Sequence, residues 1–536
     1  MRTPAEGEPA LPVPPHLAAA HETYFVRRDW PTALALWLAA GPLPSLDARL
    51  ALAHCRIELA DVATLGPITL DAGVPVRGDW LAPYAHLIRT RAFHWLDAGE
   101  PRRAAQLTRL LVHADAHIAA LYRRMAASTA DASIPRGLAH ADTAPLPFQR
   151  ELMLDDATAR VVIERHRDQR ILMVIRQHWP GDGAPVQTEL CRQLRGVERL
   201  GIASLIMDSH PRGHAEKLTF VDRLRGTVAA FRPTVILYDD LLLSGISADE
   251  GAQPAVLEIL DSACRTFGGK VVLTYLDAWY DNFETLFETA ADLAELIHIA
   301  HPGLLSRLSP AAAAKAFCYP YPMRDLRDPT AAAAQNLRAA FVGSINWTSM
   351  SRLAWWSEIA AAGFPVDLHP TLTPLARTQE QYAALLGSYA VSLNLTARVN
   401  GRRILTNRTI EAPVYGSLLL EESTDDTAYF MRPFEHYVPF DNLAELATRL
   451  IQLLSDAPLR GAIQRAGSAW ARQHFGDLHF WARLLWRLER APALDRPPRT
   501  HGFASHRVVI PTIDPVVYRT FQEVQMAAET TTPDIA

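Results

Sequence analysis

From residue 169 onward the chain alternates short apolar runs with longer amphipathic ones, and that rhythm excludes most folds. QRILMVI, IASLIMDSH, PTVILYDD, KVVLTYLDAWYD and ELIHIAHPG read as strands. They are apolar and short, the pattern of parallel strands buried on both faces. PVQTELCRQLRGVERLG, LTFVDRLRGTVAAF, AVLEILDSACRTFG and FETLFETAADLA stand between them with apolar residues at helical spacing. Strands joined through helices of this length form a parallel, doubly wound sheet. This first run ends near Phe317, and CYPYPMRDLRDP reads as a Pro-rich hinge. A second run follows: RAAFVGS, FPVDLHP, VSLNLT and SLLLEES as strands, SMSRLAWWSEIAAAG and TQEQYAALLGSY as helices. Two such units in tandem place ligands at the carboxyl ends of their strands, facing a cleft.

The stretch 391–442 is where chemistry concentrates. Between VSLNL and SLLLEES, residues 406–415 read as one short helix that follows an Arg-rich, Gly-containing loop. A helix start beside a strand end offers free N–H groups and the positive end of a dipole to an anion. Arg402, Arg403 and Arg408 add fixed positive charge there, and Glu411 adds a carboxylate. Cations for a diphosphate and a carboxylate for sugar hydroxyls together suit a nucleotide sugar. A guanidinium fork matches phosphate oxygens, so Arg408 is the expected diphosphate ligand; a local salt bridge to Glu411 is its plain alternative. Asn394 and Asn407, after a strand and before a helix, either touch the donor or act as turn and cap residues. Gly343 and Ser344, in FVGS, stand where a strand end meets the cleft, and glycine permits close backbone approach. Gly416 reads as a turn residue between helix and strand.

N-R-x-x-E-A-x-x-x-G-S-L-L-L, from Asn407 to Leu420, resembles the C-terminal signature of glycosyltransferases with the GT-B fold. The nearest likeness is to the spore-maturation CgeB-like group, within the family-four and family-one-like set. It continues through Phe430 to Phe440 and the helical LAELATRLIQLLSDAPLRGAIQRAGSAWARQHF, and in weaker form covers about residues 169–490. The resemblance implies a GT-B architecture of two Rossmann-like domains, with a long helical end, 443–490, crossing back over the first. It implies that Glu411 holds the donor ribose, that protein groups neutralise the diphosphate, and that neither metal nor cofactor is needed. Many relatives carry another Glu eight positions earlier; here that position is Arg403, so a role borrowed from the two-Glu enzymes does not carry over.

The rest of the chain sets the surroundings. With 536 residues, several domains are expected: 1–15 disordered, 16–147 a helical domain and linker, 148–320 the first Rossmann-like domain, 321–490 the second, and 491–536 a Pro-rich tail. RDWPTALALWLAAG and GEPRRAAQLTRLLVHAD resemble second-helix starts of tetratricopeptide-like repeats, because Ala33 and Ala104 stand 71 positions apart, near two periods of about 34. Such repeats bind protein partners, whereas a plain helical domain only packs on its neighbour. A net charge of −5 gives no argument for nucleic acid. Basic charge is almost all arginine, and no lysine follows Lys315. The scattered cysteines suggest reduced thiols in a cytoplasmic protein, and no apolar run is long enough for a membrane span.

On the acceptor side, His178 and Asp182 occupy the first strand–helix loop, and Asp277 ends VVLTYLD before Trp279 and Tyr280. An inverting transferase needs a base beside the acceptor hydroxyl, and Asp277 or His178 would serve. Their structural alternatives are a helix cap and a loop hydrogen bond. Tyr238-Asp239-Asp240 looks like an acidic metal pair but reads more simply as a strand end at the cleft. The expected activity is transfer of a sugar from a nucleotide-diphosphate sugar to a hydroxyl of a glycan, a lipid-linked sugar or a protein. The competing readings are a sugar-nucleotide epimerase and a non-catalytic nucleotide-binding scaffold; Arg403 favours the second of these.

Overall fold

The computed structural model describes residues 15–40, 51–52, 55–56, 91–96, 98, 104, 146–149, 154–175, 191, 194–209, 214–239, 253–274, 283–320, 322–323, 335–343, 352, 355, 358–359, 363–370, 379–399 and 402–496. The chain divides into two compact units, residues 1–131 with 443–459, and residues 132–442 with 460–536.

In the first unit, α1 (Pro15–Glu22) leads through a π-type turn, Thr23–Arg27, to α2 (Trp30–Ala39). Asp29 caps α2 by accepting from the Thr32 amide at 3.2 Å, and Pro31 follows where no N–H is needed. Tyr24, Ala33 and Trp37 form a small core with Ala51 and Cys55. The helix start read from RDWPTALALW is therefore in place. Ala33 and Ala104 are both fully buried, but most residues between them, which would carry the repeats, lie outside the described residues.

The second unit holds two parallel sheets. The first contains β1 (Arg170–Ile175), β2 (Ala203–Asp208), β3 (Val235–Asp239), β4 (Lys270–Thr274), β5 (Leu296–Ile299) and β6 (Ala316–Cys318). Its order is β2-β1-β3-β4-β5-β6, all parallel, so winding reverses between β1 and β3. Alternation along the strands divides the core in two. Ile171, Met173 and Ile175 of β1 share one face with Val235 and Leu237, while Leu172 and Val174 share the other with Ile236 and Tyr238. On the first face pack α3 (Asp156–Arg165) and the C-terminal helix (Asp477–Arg490), through Val162, Phe480, Trp481 and Leu484. On the second pack α4 (His214–Phe231), α5 (Gln253–Phe267), α6 (Phe283–Ala291) and α7 (Pro310–Ala314), through side chains such as Leu224, Leu260, Phe287 and Ala312. Each large apolar side chain among them contributes about 1.5–3 kcal/mol by leaving water.

The second sheet contains β7 (Asn336–Gly343), β8 (Val366–Pro370), β9 (Tyr389–Asn394), β12 (Leu418–Glu422) and β13 (Val438–Phe440). The hairpin β10 (Ala397–Val399) and β11 (Arg402–Ile404) stands apart from it. The sheet order is β13-β12-β9-β7-β8, again all parallel, so the reversal lies between β7 and β9. The helix α8 (Gln379–Gly387) packs on this sheet through Leu386, which meets Ala340 and Val342 of β7. Two tandem parallel α/β sheets are the GT-B outline.

Three features depart from the sequence reading. The Arg-rich loop is the β10–β11 hairpin. The strand β6, at the start of the expected hinge, adds a sixth member to the first sheet; three residues are too few to show periodicity. The expected tail is also anchored at its start. Arg496 is buried between Asp261 at 2.6 Å and Glu295 at 2.7 Å, and Lys270 Nζ donates to the carbonyls of Leu488 and Ala491 at 2.6 Å. The helix Asp477–Arg490 thus crosses back onto the first sheet, held also by His479 to Asp156 at 2.8 Å and an Arg199–Asp477 ion pair. Among the described residues, no helix is long and apolar enough to cross a membrane.

Candidate functional site

The winding reversal of the second sheet brings the carboxyl ends of β7 and β9 side by side, and crevices form where winding reverses. β7 ends at Gly343 and β9 at Asn394. After β9 and the hairpin, α9 (Arg408–Val414) returns the chain toward β12, all seven of its residues buried. Gly416, at φ +89°, makes the left-handed turn from α9 into β12 that favours glycine.

Arg408 reaches back to the reversal. Its side chain is only 8% exposed, and Nη1 donates to Asn394 Oδ1 at 3.0 Å. Its Cζ sits 5.1 Å from the centre of the Phe341 ring, and a Cβ on Gly343 would fall 2.2 Å from Nη2. Glycine at 343 is what admits the guanidinium. Its Nε is buried with no hydrogen-bond partner among the described residues, which is costly unless a ligand supplies one. Arg352 stands on the same ring, Cζ 5.9 Å from its centre, with Nε donating to the Leu395 carbonyl at 2.8 Å. Burial, helped by the neighbouring charge of Arg408, pulls Arg352 down to about 9. It remains charged at neutral pH, and a bound anion would relieve both guanidiniums.

Glu411 lies one turn further along α9. It is buried, and its Oε2 accepts from the Tyr382 hydroxyl of α8 at 2.7 Å. The chain thus brings together a guanidinium pair and an oriented carboxylate, the groups expected for a diphosphate and for hydroxyls. The helix start itself contributes less than its sequence implied. The amides of Thr409, Ile410 and Glu411 already donate to the carbonyls of Thr406 and Asn407, at 2.9–3.0 Å. Three amides of this seven-residue helix start are thus already engaged, and the positive charge here is that of the Arg408 side chain. Asn407 holds the N-cap position of α9 without a side-chain cap bond.

Asn394 is fully buried and acts as a junction. Its Nδ2 donates to Thr406 Oγ1 at 3.0 Å and to Glu421 Oε1, while its Oδ1 accepts from Arg408 and Thr406. Glu421 Oε1 also accepts from Thr409 Oγ1 at 2.6 Å. Burial raises the Glu421 carboxyl to about 7, against the opposing pull of these bonds and of Arg408. Arg403 faces elsewhere: it donates to the Ser423 carbonyl and lies 3.6 Å from Glu422 and 3.5 Å from Asp441. At this position the cation fastens the hairpin to β12 and takes no part in the Arg408 group.

Of the expected site residues, Gly343, Asn394, Arg408 and Glu411 converge, with Asn407 at the start of their helix. Ser344, His178, Asp182, Asp277 and Asp240 lie outside the described residues. On the first sheet, Asp239 is a buried strand end that accepts from Ser209 at 2.6 Å. Sequence reasoning missed Arg352, Tyr382, Thr409 and Glu421. Only Glu421 left a signal, since two glutamates close an otherwise apolar buried strand, SLLLEE.

Residues 324–489 match the family described as glycosyl transferase-like. No curated relative matches the chain in sequence. Among solved structures, it is similar to Anabaena Alr3699/HepE in complex with UDP-glucose, at 12% identity and a TM-score of 0.40 over 59% of this chain and 99% of that one. It is similar to sucrose-phosphate synthase from Thermosynechococcus elongatus, at 11% identity and 0.43 over 60% and 98%. A third, AviGT4 of avilamycin A biosynthesis, gives 14% and 0.38 over 60% and 98%. At these TM-scores the likenesses carry no argument about donor or acceptor.

Proposed function

We propose that this chain is a glycosyltransferase that takes a nucleotide-diphosphate sugar at the carboxyl ends of β7 and β9 and passes the sugar to an acceptor hydroxyl. One observation carries the reading: the buried Arg408 guanidinium, admitted by Gly343 and seated on Phe341, with an Nε that has no hydrogen-bond partner among the described residues. The match of residues 324–489 to the glycosyl transferase-like family supports it. Arg408 and Arg352 meet the diphosphate charge, so no metal ion is required for that task. Glu411, oriented by Tyr382, accepts from the ribose hydroxyls.

The acceptor is a glycan, a lipid-linked sugar or a protein side chain, taken from the first-sheet side with Asp277 or His178 as base. The cytoplasm suits a chain whose four cysteines are free thiols. Arg403 in place of a second glutamate favours a scaffold without turnover. Its engagement with Ser423 and Glu422 gives that residue a structural task that is compatible with catalysis elsewhere. The test is a panel of UDP, GDP, dTDP and CMP sugars, read by thermal shift and by release of free nucleotide, with Glu411→Ala alongside. One donor that stabilises the wild type more than the variant, and is slowly hydrolysed or transferred, supports the enzyme. Stabilisation without either reaction supports the scaffold, and no stabilisation by any donor overturns the site.

A further inference from the structure

Glu421 reaches the proposed donor site only through Asn394, which bonds both it and Arg408. It is fully buried at the end of β12, in register with Asn394 of β9. Its Oε1 gathers Asn394 Nδ2 and Thr409 Oγ1, and Asn394 in turn receives Arg408 Nη1. The result is a continuous path from carboxyl to amide to guanidinium. Its second oxygen, Oε2, is buried and makes no hydrogen bond of good geometry among the described residues; the Thr427 hydroxyl is the group that favours the anion on that side. A buried carboxylate with one oxygen fully engaged and the other weakly held is poorly solvated as an anion and gains from a proton on the weakly held oxygen.

We propose that Glu421 is a positioning residue that sets Arg408 through Asn394, and that it takes up a proton when the donor diphosphate arrives. This inference rests on the donor reading. The charged and titratable groups around Glu421 define the balance. Arg408 of α9 favours its anion. Tyr437, before β13, stays a neutral phenol because burial and the negative charges of Glu421 and Asp425 oppose its ionisation. Asp425 and Asp426 begin α10 (Asp425–Phe430), and Asp426 is occupied by the Gly303 amide at 2.7 Å. Glu422, next on the strand, turns to Thr396 at 2.7 Å and to Arg403. Asn394, Thr409 and Thr427 are neutral. Among the described residues, Arg408 is therefore the cation that adds to the bonds from Thr409, Thr427 and Asn394 in favouring the Glu421 anion. A diphosphate on Arg408 competes for that charge, and the carboxyl answers by binding a proton. Since burial already places the group near 7, the exchange falls in the neutral range.

The proton balance is simple: one proton passes from solvent to Glu421, and no covalent bond of the donor changes. Donor affinity then falls as pH rises above about 7, by up to tenfold per unit until the bound-state value is passed. The experiment is calorimetric titration of the full chain with UDP-glucose, dTDP-glucose and GDP-mannose. Their diphosphates are diesters with no proton to exchange near neutrality. Each titration is run at pH 7.5 in two buffers of different ionisation enthalpy. The expected result is uptake of a fraction of a proton per bound donor by the wild type. In Glu421→Gln, whose amide oxygen still accepts from Asn394 and Thr409, uptake disappears and the pH dependence of affinity flattens. Equal heats in both buffers for a donor that binds, or uptake that persists in Glu421→Gln, overturns the inference while leaving the donor site standing. No binding by any donor overturns the donor reading, and the inference with it. Should Glu421→Gln fold poorly, the wild type alone decides: its uptake rises and falls across the neutral range or stays flat.

Discussion

The two parallel sheets are built on one plan and finished differently. Each reverses its winding once, between β1 and β3 in the first and between β7 and β9 in the second. At the second reversal, buried charge gathers: Arg408, Arg352, Glu411 and Glu421 around Asn394. On the first sheet, the described strand ends are settled among themselves. Ser209 closes onto Asp239, and His298 is held between Thr274 Oγ1 and the Tyr319 carbonyl, each at 2.8 Å. Burial keeps His298 down near 4 and hence neutral. A shared fold thus says where a ligand would sit, while the sign of the buried charge, cationic at Arg408 and Arg352 and acidic at Asp239, says which sheet suits an anion.

The comparison breaks most visibly at Arg408. Arg408→Ala is expected to weaken donor binding about 100-fold, roughly the 3 kcal/mol of a lost charge-assisted pair. Arg408→Lys is expected to recover little of it, because a point charge does not reproduce the fork. Titration of both variants with the donor identified by the panel checks this. Equal losses from changes on the first sheet would erase the contrast.

Glu421 sharpens the comparison through stability. Its carboxyl is raised from about 4.5 to about 7 in the folded chain. The folded state therefore holds the proton more tightly, and the associated stability is complete below about 4.5 and lost as pH rises through about 7. Glu421→Gln should remove that loss, on the order of 3 kcal/mol for a shift of this size. In denaturant titrations, the variant gains on the wild type between pH 4.5 and 8. A constant difference across that range would contradict it.

The smallest effect belongs to the first sheet. Ser209→Ala removes one buried hydrogen bond, worth about 1 kcal/mol of stability. Donor affinity should stay within about twofold of the wild type, as calorimetry would record.

Legibility in the sequence followed the same division. Most strands of the two sheets were readable because burial writes them as short, largely apolar runs, RILMVI or VSLNL, whereas the three-residue β6 and β13 were not. The proposed donor side was readable because Asn394, Arg408 and Glu411 fall within one strand–helix–strand passage; Glu421, in the same passage, went unread as part of a strand. Arg352 and Tyr382 were not, since they arrive from elsewhere in the chain and look there like surface residues. The helix start looked like an anion cradle because sequence does not reveal that its first amides are already bonded to Thr406 and Asn407.

The most direct test of the donor site is Gly343→Ala. The nearest atoms to the added methyl group are those of the Arg408 guanidinium, with Nη2 at 2.2 Å, so the far end of that side chain has to leave its seat. Thermal shift with the donor panel should show one donor stabilising the wild type and none stabilising the variant, with unliganded melting temperatures within a few degrees. A variant that binds the same donor with undiminished stabilisation would contradict the placement of the diphosphate on Arg408.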